Sequence, residues 1–288
     1  MYCRWYNFKD VFSIMIKTIQ IKSFFEEIGE ALVSAGYWQG EIFYQRASGE
    51  IRTGWAGVSA IRDQDHEVQS LIIIMSDITE RKVIEERIHK LAYFDPLTGL
   101  PNRSQMHERL DVLLKTAQRN NHCVALLFID LDRFKPINDS MGHPAGDQVL
   151  KQVAQRLRNC TKKHDLVCRI GGDEFTVMVP EIESMDGLTI LAQRINESIS
   201  EPISIGSHEL YISTSIGISI YPDDGLSSED LIKNADAAMY RVKADGRGSF
   251  HRYTDSMHHD SVRELTIETR LRKAIKDQLF QVKYQPKI

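Results

Sequence analysis

Two pairs of acidic residues stand at places where a protein of alternating strands and helices does chemistry. Asp130 and Asp132 close the apolar run Cys123–Ile129, and Asp173 and Glu174 follow directly on Gly171-Gly172. Ligands in open sheets gather at such strand ends. If the two runs are neighbouring strands, the acids converge. Converging carboxylates repel, so they either raise one another's pKa or hold a divalent cation. Two carboxylates and a carbonyl, completed by substrate phosphates, suit magnesium, which is bound through few carboxylates. Shared with a triphosphate, that ion polarises phosphoryl oxygens and helps ionise an attacking hydroxyl. Gly171 and Gly172 lack Cβ, so a triphosphate or a guanine can come close to their backbone. One strand-end Asp by itself is a cap or turn residue; acids at both places together ask for a site.

Cations are available to hold phosphates. Lys243 and Arg247 lie one helical turn apart, at the end of a helix and in the turn after it, and Lys135 lies in the loop after Asp132. Each taken singly reads as a solvated surface cation. Nothing matches the P-loop pattern G-x-x-x-x-G-K-[ST], so a nucleotide must be held otherwise. Asn138 and Asp147 offer a base reader, since guanine presents N1–H and N2–H₂ together and a carboxylate accepts both. Alone, Asn138-Asp139 is an ordinary turn and Asp147 an ordinary first-turn helix acid.

The elements that must position these groups follow from periodicity. Arg103–Arg119 reads as a helix, Cys123–Ile129 as a central buried strand, and Ala145–Cys160 as a helix with Val149, Leu150, Val153 and Leu157 on one face. Leu166–Ile170 and Phe175–Val179 read as strands flanking a two-residue turn at Gly171-Gly172. A helix over 187–199, a long strand over 212–220, a helix through Leu231, Ala235, Met239 and Val242, and a strand over 249–253 complete an α/β (α+β) domain with an internal antiparallel hairpin.

Upstream, 40–44, 51–61 and 70–76 read as strands, the last as a buried one, ending in Asp77-Ile78-Thr79-Glu80-Arg81-Lys82. This stretch resembles the second half of a PAS sensor domain, without residues enough for the ligand-holding first half. A helix over 80–92 carries Ile84, Ile88 and Leu91 as one apolar seam. It either packs on its own domain or pairs two chains as a short parallel coiled coil, and the second reading is preferred.

Hydrophobic residues at 42%, charged residues at 26% and a net charge of −4 describe a globular protein and exclude a general nucleic-acid binder, which needs a basic surface. The four cysteines form no CxxC pair, so neither a disulfide framework nor a zinc site is expected, Cys123 reads as a buried free thiol, and the cytoplasm is the expected compartment. No apolar run approaches a membrane span.

Residues 95–253 resemble the GGDEF domain of diguanylate cyclases. The likeness is carried by Asp95-Pro96-Leu97-Thr98-Gly99-Leu100-Pro101-Asn102-Arg103, by Phe128-Ile129-Asp130-Leu131-Asp132-Arg133-Phe134-Lys135 through Asn138, by Gly142-His143 and Gly146-Asp147, by Arg169-Ile170-Gly171-Gly172-Asp173-Glu174-Phe175, and by Ala237–Lys243 with Gly246-Arg247. The resemblance implies a palm-like nucleotidyl-cyclase fold around a mainly antiparallel sheet. It implies condensation of two GTP to cyclic di-GMP and two pyrophosphates by a homodimer. Asp130, the Leu131 carbonyl and Asp173 would then hold magnesium or manganese. Asp173 would accept the proton with Glu174 in support, Asn138 and Asp147 would read guanine with His143 nearby, and Lys135, Lys243 and Arg247 would hold phosphates. An alternative stays open: a catalytically silent GTP-binding domain that regulates a downstream EAL phosphodiesterase.

The family's product-inhibited members carry R-x-x-D before the Gly-Gly turn; here the stretch is Lys162-Lys163-His164-Asp165, which implies weak feedback inhibition. Leu271–Ile288 resembles the beginning of an EAL domain, whereas Glu30-Ala31-Leu32 is read as helix surface and core. The expected organisation is 1–22 unassigned, 23–80 partial PAS-like, 81–94 linker helix, 95–254 GGDEF, and 255–288 a linker helix and the start of a truncated EAL domain.

Overall fold

The computed structural model describes residues 21–46, 48–65, 68–182, 184–257, 273–277 and 279. The chain divides into two compact units, Met1–Lys90 and Leu91–Ile288.

In the first unit, helix α1 (Ile21–Ser34) precedes an antiparallel sheet of β1 (Tyr37–Gln45), β2 (Ile51–Arg62) and β3 (Val68–Asp77), in the order β1-β2-β3. Ile28 and Leu32 pack with Trp38, Ile42, Ala56 and Val58. Glu30-Ala31-Leu32 is helix surface and core as expected: Glu30 is exposed and Leu32 buried. The apolar run in β3 is not buried. It is an edge strand, and Ile72, Ile73 and Ile74 are 49%, 39% and 70% exposed. An all-apolar run marks a buried strand only when both faces are covered. Helix α2 (Thr79–Tyr93) starts where Thr79 N–H donates to Asp77 Oδ1 at 2.9 Å. Hydrogen bonds from the Thr79 hydroxyl and backbone, and from Tyr44, hold the Asp77 carboxyl well below the usual range. Helix α2 buries none of its residues; Ile84, Ile88 and Leu91 are 56%, 60% and 61% exposed. The helix meets the sheet through Lys82, paired with Glu41 at 2.5 Å, while its apolar seam stays uncovered.

The second unit is built on a five-stranded sheet, ordered β10-β9-β4-β6-β5. The strands are β4 (Val124–Leu131), β5 (Leu166–Gly171), β6 (Glu174–Val179), β9 (Thr214–Tyr221) and β10 (Phe250–Arg252), antiparallel except for the β9–β10 pair. All eight residues of β4 are buried, because strands and helices cover it on every side. Its side chains alternate between two cores. Ala125, Leu127, Ile129 and Leu131 meet helices α5 (His143–Cys160) and α6 (Met185–Ser200) through Val149, Val153, Leu191 and Ile195. Val124, Leu126 and Phe128 meet α3 (Arg103–Asn120) and α7 (Ser228–Ala244) through Leu110, Leu114, Leu231 and Met239. Each buried Leu, Ile or Phe contributes about 1.5–3 kcal/mol of apolar burial. This is the expected α+β architecture around a mainly antiparallel sheet.

Several local details differ from expectation. Residues 134–141 form helix α4 (Phe134–Met141), where a loop and a turn were expected. Pro136 lies in its first turn, where a missing N–H costs nothing. A small hairpin, β7 (Ile203–Ile205) with β8 (His208–Leu210), was not foreseen, and the long strand begins at Thr214. Cys123 is half-buried, while Cys160 and Cys168 are buried free thiols. Cys3 and most of the helix expected after Tyr253 lie outside the described residues, as does nearly all of the EAL-like tail; residues 273–276 are helical. Among the described residues no helix is long and apolar enough to cross a membrane.

Candidate active site

The hairpin between β5 and β6 turns one residue later than expected. Gly171 pairs with Glu174, so the two loop residues are Gly172 and Asp173, and Gly172 takes φ +53. That left-handed backbone suits glycine. A Cβ at either Gly171 or Gly172 would meet nothing within 4 Å, so this turn borders open space through which a ligand can reach the backbone. Arg169 braces the turn from behind. Its Nε and Nη2 donate to the Gly172 carbonyl at 3.2 and 2.8 Å, and its Nη1 donates to both oxygens of Asp95 at 2.9 and 3.0 Å. Burial raises the Asp95 pKa, but hydrogen bonds from Thr98 and Arg169 outweigh it and hold the carboxyl below its ordinary value.

Sheet register brings the acids together. Asp130 on β4 stands opposite Glu174 on β6 and opposite Ser215 on β9. The Leu131 N–H donates to the Asp173 carbonyl at 3.3 Å, which stitches the hairpin turn to the end of β4. Asp130, Leu131, Asp173 and Glu174 thus converge, as their positions predicted. The neighbours of Asp130 along β4 explain the side it faces. Val124, Leu126 and Phe128 point to α7, and so does Asp130, whose Oδ2 lies 2.7 Å from Lys243 Nζ in the last turn of that helix. Helix α7 comes this close because residue 217 has no side chain: a Cβ there would collide with the Ala235 carbonyl and the Met239 backbone.

The electrostatics follow from crowding. Burial first, then the charges of Asp173 and Asp132, push the Asp130 pKa up, and Lys243 offsets them only in part. Glu174 is raised likewise, by burial and by Asp130, Asp236 and Asp173. Asp236, on α7, was not singled out from the sequence; its helix position is unremarkable without the sheet beside it. Two raised carboxyls, a third carboxylate and a backbone carbonyl are hard oxygen donors with excess negative charge, which fits a hard divalent cation. Among the described residues no three His, Cys, Asp or Glu side chains are already grouped to hold a metal alone.

Asp132 is excluded from that set. Its oxygens accept from Ser213 Oγ at 2.7 Å, Ser215 Oγ at 2.8 Å and Gly248 N–H at 3.1 Å. Arg247 Nε lies 3.8 Å from Asp132 Oδ1.

The remaining expected residues occupy a second pair of elements. Lys135 is in the first turn of α4 and exposed, and Asn138 lies within α4 rather than in a turn. His143 opens α5 and Asp147 is exposed one turn further in, not in the first turn. Helices α4 and α5 nest at Gly146, where a Cβ would strike the Asn138 side chain. The absent side chain therefore sets Asn138 beside the residue next to Asp147. Among the described residues no hydrogen bond or ion pair joins Lys135, Asn138, His143 or Asp147 to the strand-end acids.

The Lys162–Asp165 stretch forms a tight turn, with Lys162 N–H donating to Asp165 Oδ2 at 2.7 Å. It borders an open cavity of about 170 Å³ lined also by Glu181, Leu188, Leu191 and Arg194. Arg194 Nη2 donates to the Cys160 carbonyl.

Comparison with known proteins agrees with this arrangement. Residues 92–249 match the family model described as diguanylate cyclase, GGDEF domain. The chain is 41% identical over 199 residues to the bifunctional diguanylate cyclase/cyclic di-GMP phosphodiesterase MucR of Pseudomonas aeruginosa, covering 69% of this chain and 29% of MucR. It is 39% identical over 218 residues to the cyclic di-GMP phosphodiesterase PdeR of Escherichia coli, covering 76% of this chain and 32% of PdeR. It therefore spans about a third of the length of these curated relatives. Among solved structures, a GGDEF-only form of YfiN (TpbB) from Pseudomonas aeruginosa superposes with a TM-score of 0.57 at 39% identity, covering 58% of this chain and 98% of that one. The coiled coil and GGDEF domain of DgcB from Caulobacter crescentus, in complex with c-di-GMP, superposes with a TM-score of 0.56 at 26% identity, covering 61% and 93%. With its acids converging at the hairpin and its second unit shared with these proteins, the chain belongs to the GGDEF diguanylate cyclase family.

Proposed function

We propose that the chain is a magnesium-dependent diguanylate cyclase that condenses two GTP into cyclic di-GMP and two pyrophosphates. The observation that carries this reading is the register of Asp130 against Glu174, with Asp173 stitched to Leu131 and Lys243 seated on Asp130. In each half-reaction a bond forms between a ribose 3′-oxygen and an α-phosphorus. The bond from that phosphorus to the β-bridging oxygen breaks, and pyrophosphate leaves with the electron pair.

Asp173 takes the hydroxyl proton, and Glu174 supports it. Lys243, Arg247 and Lys135 hold phosphates and offset the charge that develops in transfer. Asn138 and Asp147 read the guanine edge, with His143 beside them. Magnesium or manganese, held by Asp130, the Leu131 carbonyl and Asp173, would supply Lewis-acid polarisation of the phosphates. Each subunit supplies one GTP, so turnover requires a pair of chains.

A second reading is favoured by one observation: PdeR, 39% identical to this chain, is named for phosphodiesterase activity, and the chain spans only 32% of it. On that reading the domain binds GTP without turning it over. Incubating the purified chain with GTP and magnesium separates the two. Product that disappears in Asp173→Ala, a fall of about 10²–10⁴-fold for loss of a general base, supports the cyclase. GTP bound without pyrophosphate release supports the silent domain.

A further inference from the structure

The turn after α7 has an unusual backbone. Gly246, Arg247 and Gly248 are consecutive residues with φ +122, +70 and +65. Glycine takes these values freely, but a left-handed arginine is strained and persists only where its surroundings impose it. Two hydrogen bonds impose it here. Arg247 N–H donates to the Val242 carbonyl at 2.9 Å, and Gly248 N–H donates to Asp132 Oδ2 at 3.1 Å. Asp132 is itself fixed by the hydroxyls of Ser213 and Ser215, and its side chain is only 2% exposed. This buried carboxylate thus ties the end of β4 and the start of β9 to the turn that carries Arg247.

The same carboxylate faces the Arg247 guanidinium. Its Nε lies 3.8 Å from Asp132 Oδ1, within ion-pair but not hydrogen-bond reach, and the side chain is 46% exposed. Among the described residues the two terminal nitrogens of Arg247 make no hydrogen bond, so the outer side of the fork is left for a ligand. Two terminal N–H groups in one plane match two phosphate oxygens.

We propose that Asp132 is a positioning residue for triphosphate binding: with Ser213 and Ser215 it holds the left-handed turn and the Nε side of Arg247, so that the free fork is presented to phosphate. This role rests on the reading of Arg247 as a phosphate-holding residue. It differs from that of Asp130, two residues earlier, whose partner is Lys243.

The test is equilibrium binding of a non-hydrolysable GTP analogue and of GMP, each with magnesium, which reads binding whether or not the chain turns GTP over. The expected result for Asp132→Asn is an analogue dissociation constant raised about tenfold, the loss of one charge-assisted contact, with GMP affinity unchanged. Arg247→Ala should give the same loss, and the double variant should be no worse than Arg247→Ala alone. The pair Ser213→Ala with Ser215→Ala, which keeps the Asp132 charge, should show a smaller loss in the same direction and serves if Asp132→Asn does not fold. Unchanged analogue affinity in folded Asp132 or Ser213/Ser215 variants, an equal loss for GMP, or additive losses would overturn the positioning role. Unchanged affinity in Arg247→Ala would instead remove Arg247 from the phosphate site and overturn the reading beneath it.

Discussion

Glu174 and Asp130 occupy opposite positions on neighbouring strands, and each is raised chiefly by burial and then by the other acids. A carboxyl with a raised folded-state pKa binds its proton more tightly when folded. It therefore favours the folded state below the ordinary glutamate range, and that advantage is lost as pH rises through the raised value. Glu174→Gln, which removes the charge and keeps the shape, should melt at a higher temperature than the unsubstituted chain near neutral pH, and the two should converge near about pH 4. Thermal melts across that range decide it; a gap that widens on acidification would refute the crowding. Magnesium should raise the melting temperature of the unsubstituted chain and do less for Glu174→Gln. The acids and Lys243 were legible because strand ends and helix ends are visible in periodicity. The Arg169–Asp95 clamp was not, because its partners lie 74 positions apart and only folding joins them.

Among the elements, α7 carries Lys243 in its last turn and leads into the turn that holds Arg247, and its seat depends on one missing side chain. A Cβ on Gly217 would enter the backbone of Ala235 and Met239, which cannot move aside as a side chain can. Gly217→Ala should therefore lift α7 from β9, cost about 1–3 kcal/mol by overpacking, and loosen Lys243 from Asp130. The measurements are a melt and GTP-analogue affinity, both lowered together; affinity preserved in a destabilised variant would separate the helix seat from the site. Glycine in a strand reads only as a weak point in the sequence, and its use as a contact surface needs the helix in place. Helix α4 was missed for the opposite reason. Asn138-Asp139 reads as a turn, yet both lie inside the helix, and Pro136 in its first turn breaks nothing. In β3 the run of isoleucines is genuine, but the strand has a neighbour on one side only.

At the scale of the whole molecule, the proposed reaction would need two GTP-loaded domains, and α2 leaves Ile84, Ile88 and Leu91 outside any core. If this seam pairs chains, Ile88→Glu should lower turnover per subunit at dilute concentration and leave the melt of the second unit unchanged. An equal rate at every dilution would disprove pairing through α2. Product control is expected to be weak, because Lys162 stands where a clamping fork would be and a lysine offers only a point charge. A titration with cyclic di-GMP should show little inhibition; tight binding that vanishes in Lys162→Ala would overturn this.

The main strands and helices of the second unit, the acids at two strand ends and the cations at and after the end of α7 were determined by the sequence itself, because each is a local pattern of hydrophobic period, turn chemistry or motif. Three things waited for tertiary structure. Asp132 separated from Asp130 because hydroxyls and an amide from distant segments consumed its oxygens. Gly217 and Gly146 acquired meaning only when helices came to rest on them. And β3 proved exposed because coverage belongs to neighbours, not to the strand. In each case the deciding partner belongs to another element, near or far along the chain, and a one-dimensional pattern carries no record of what packs against it.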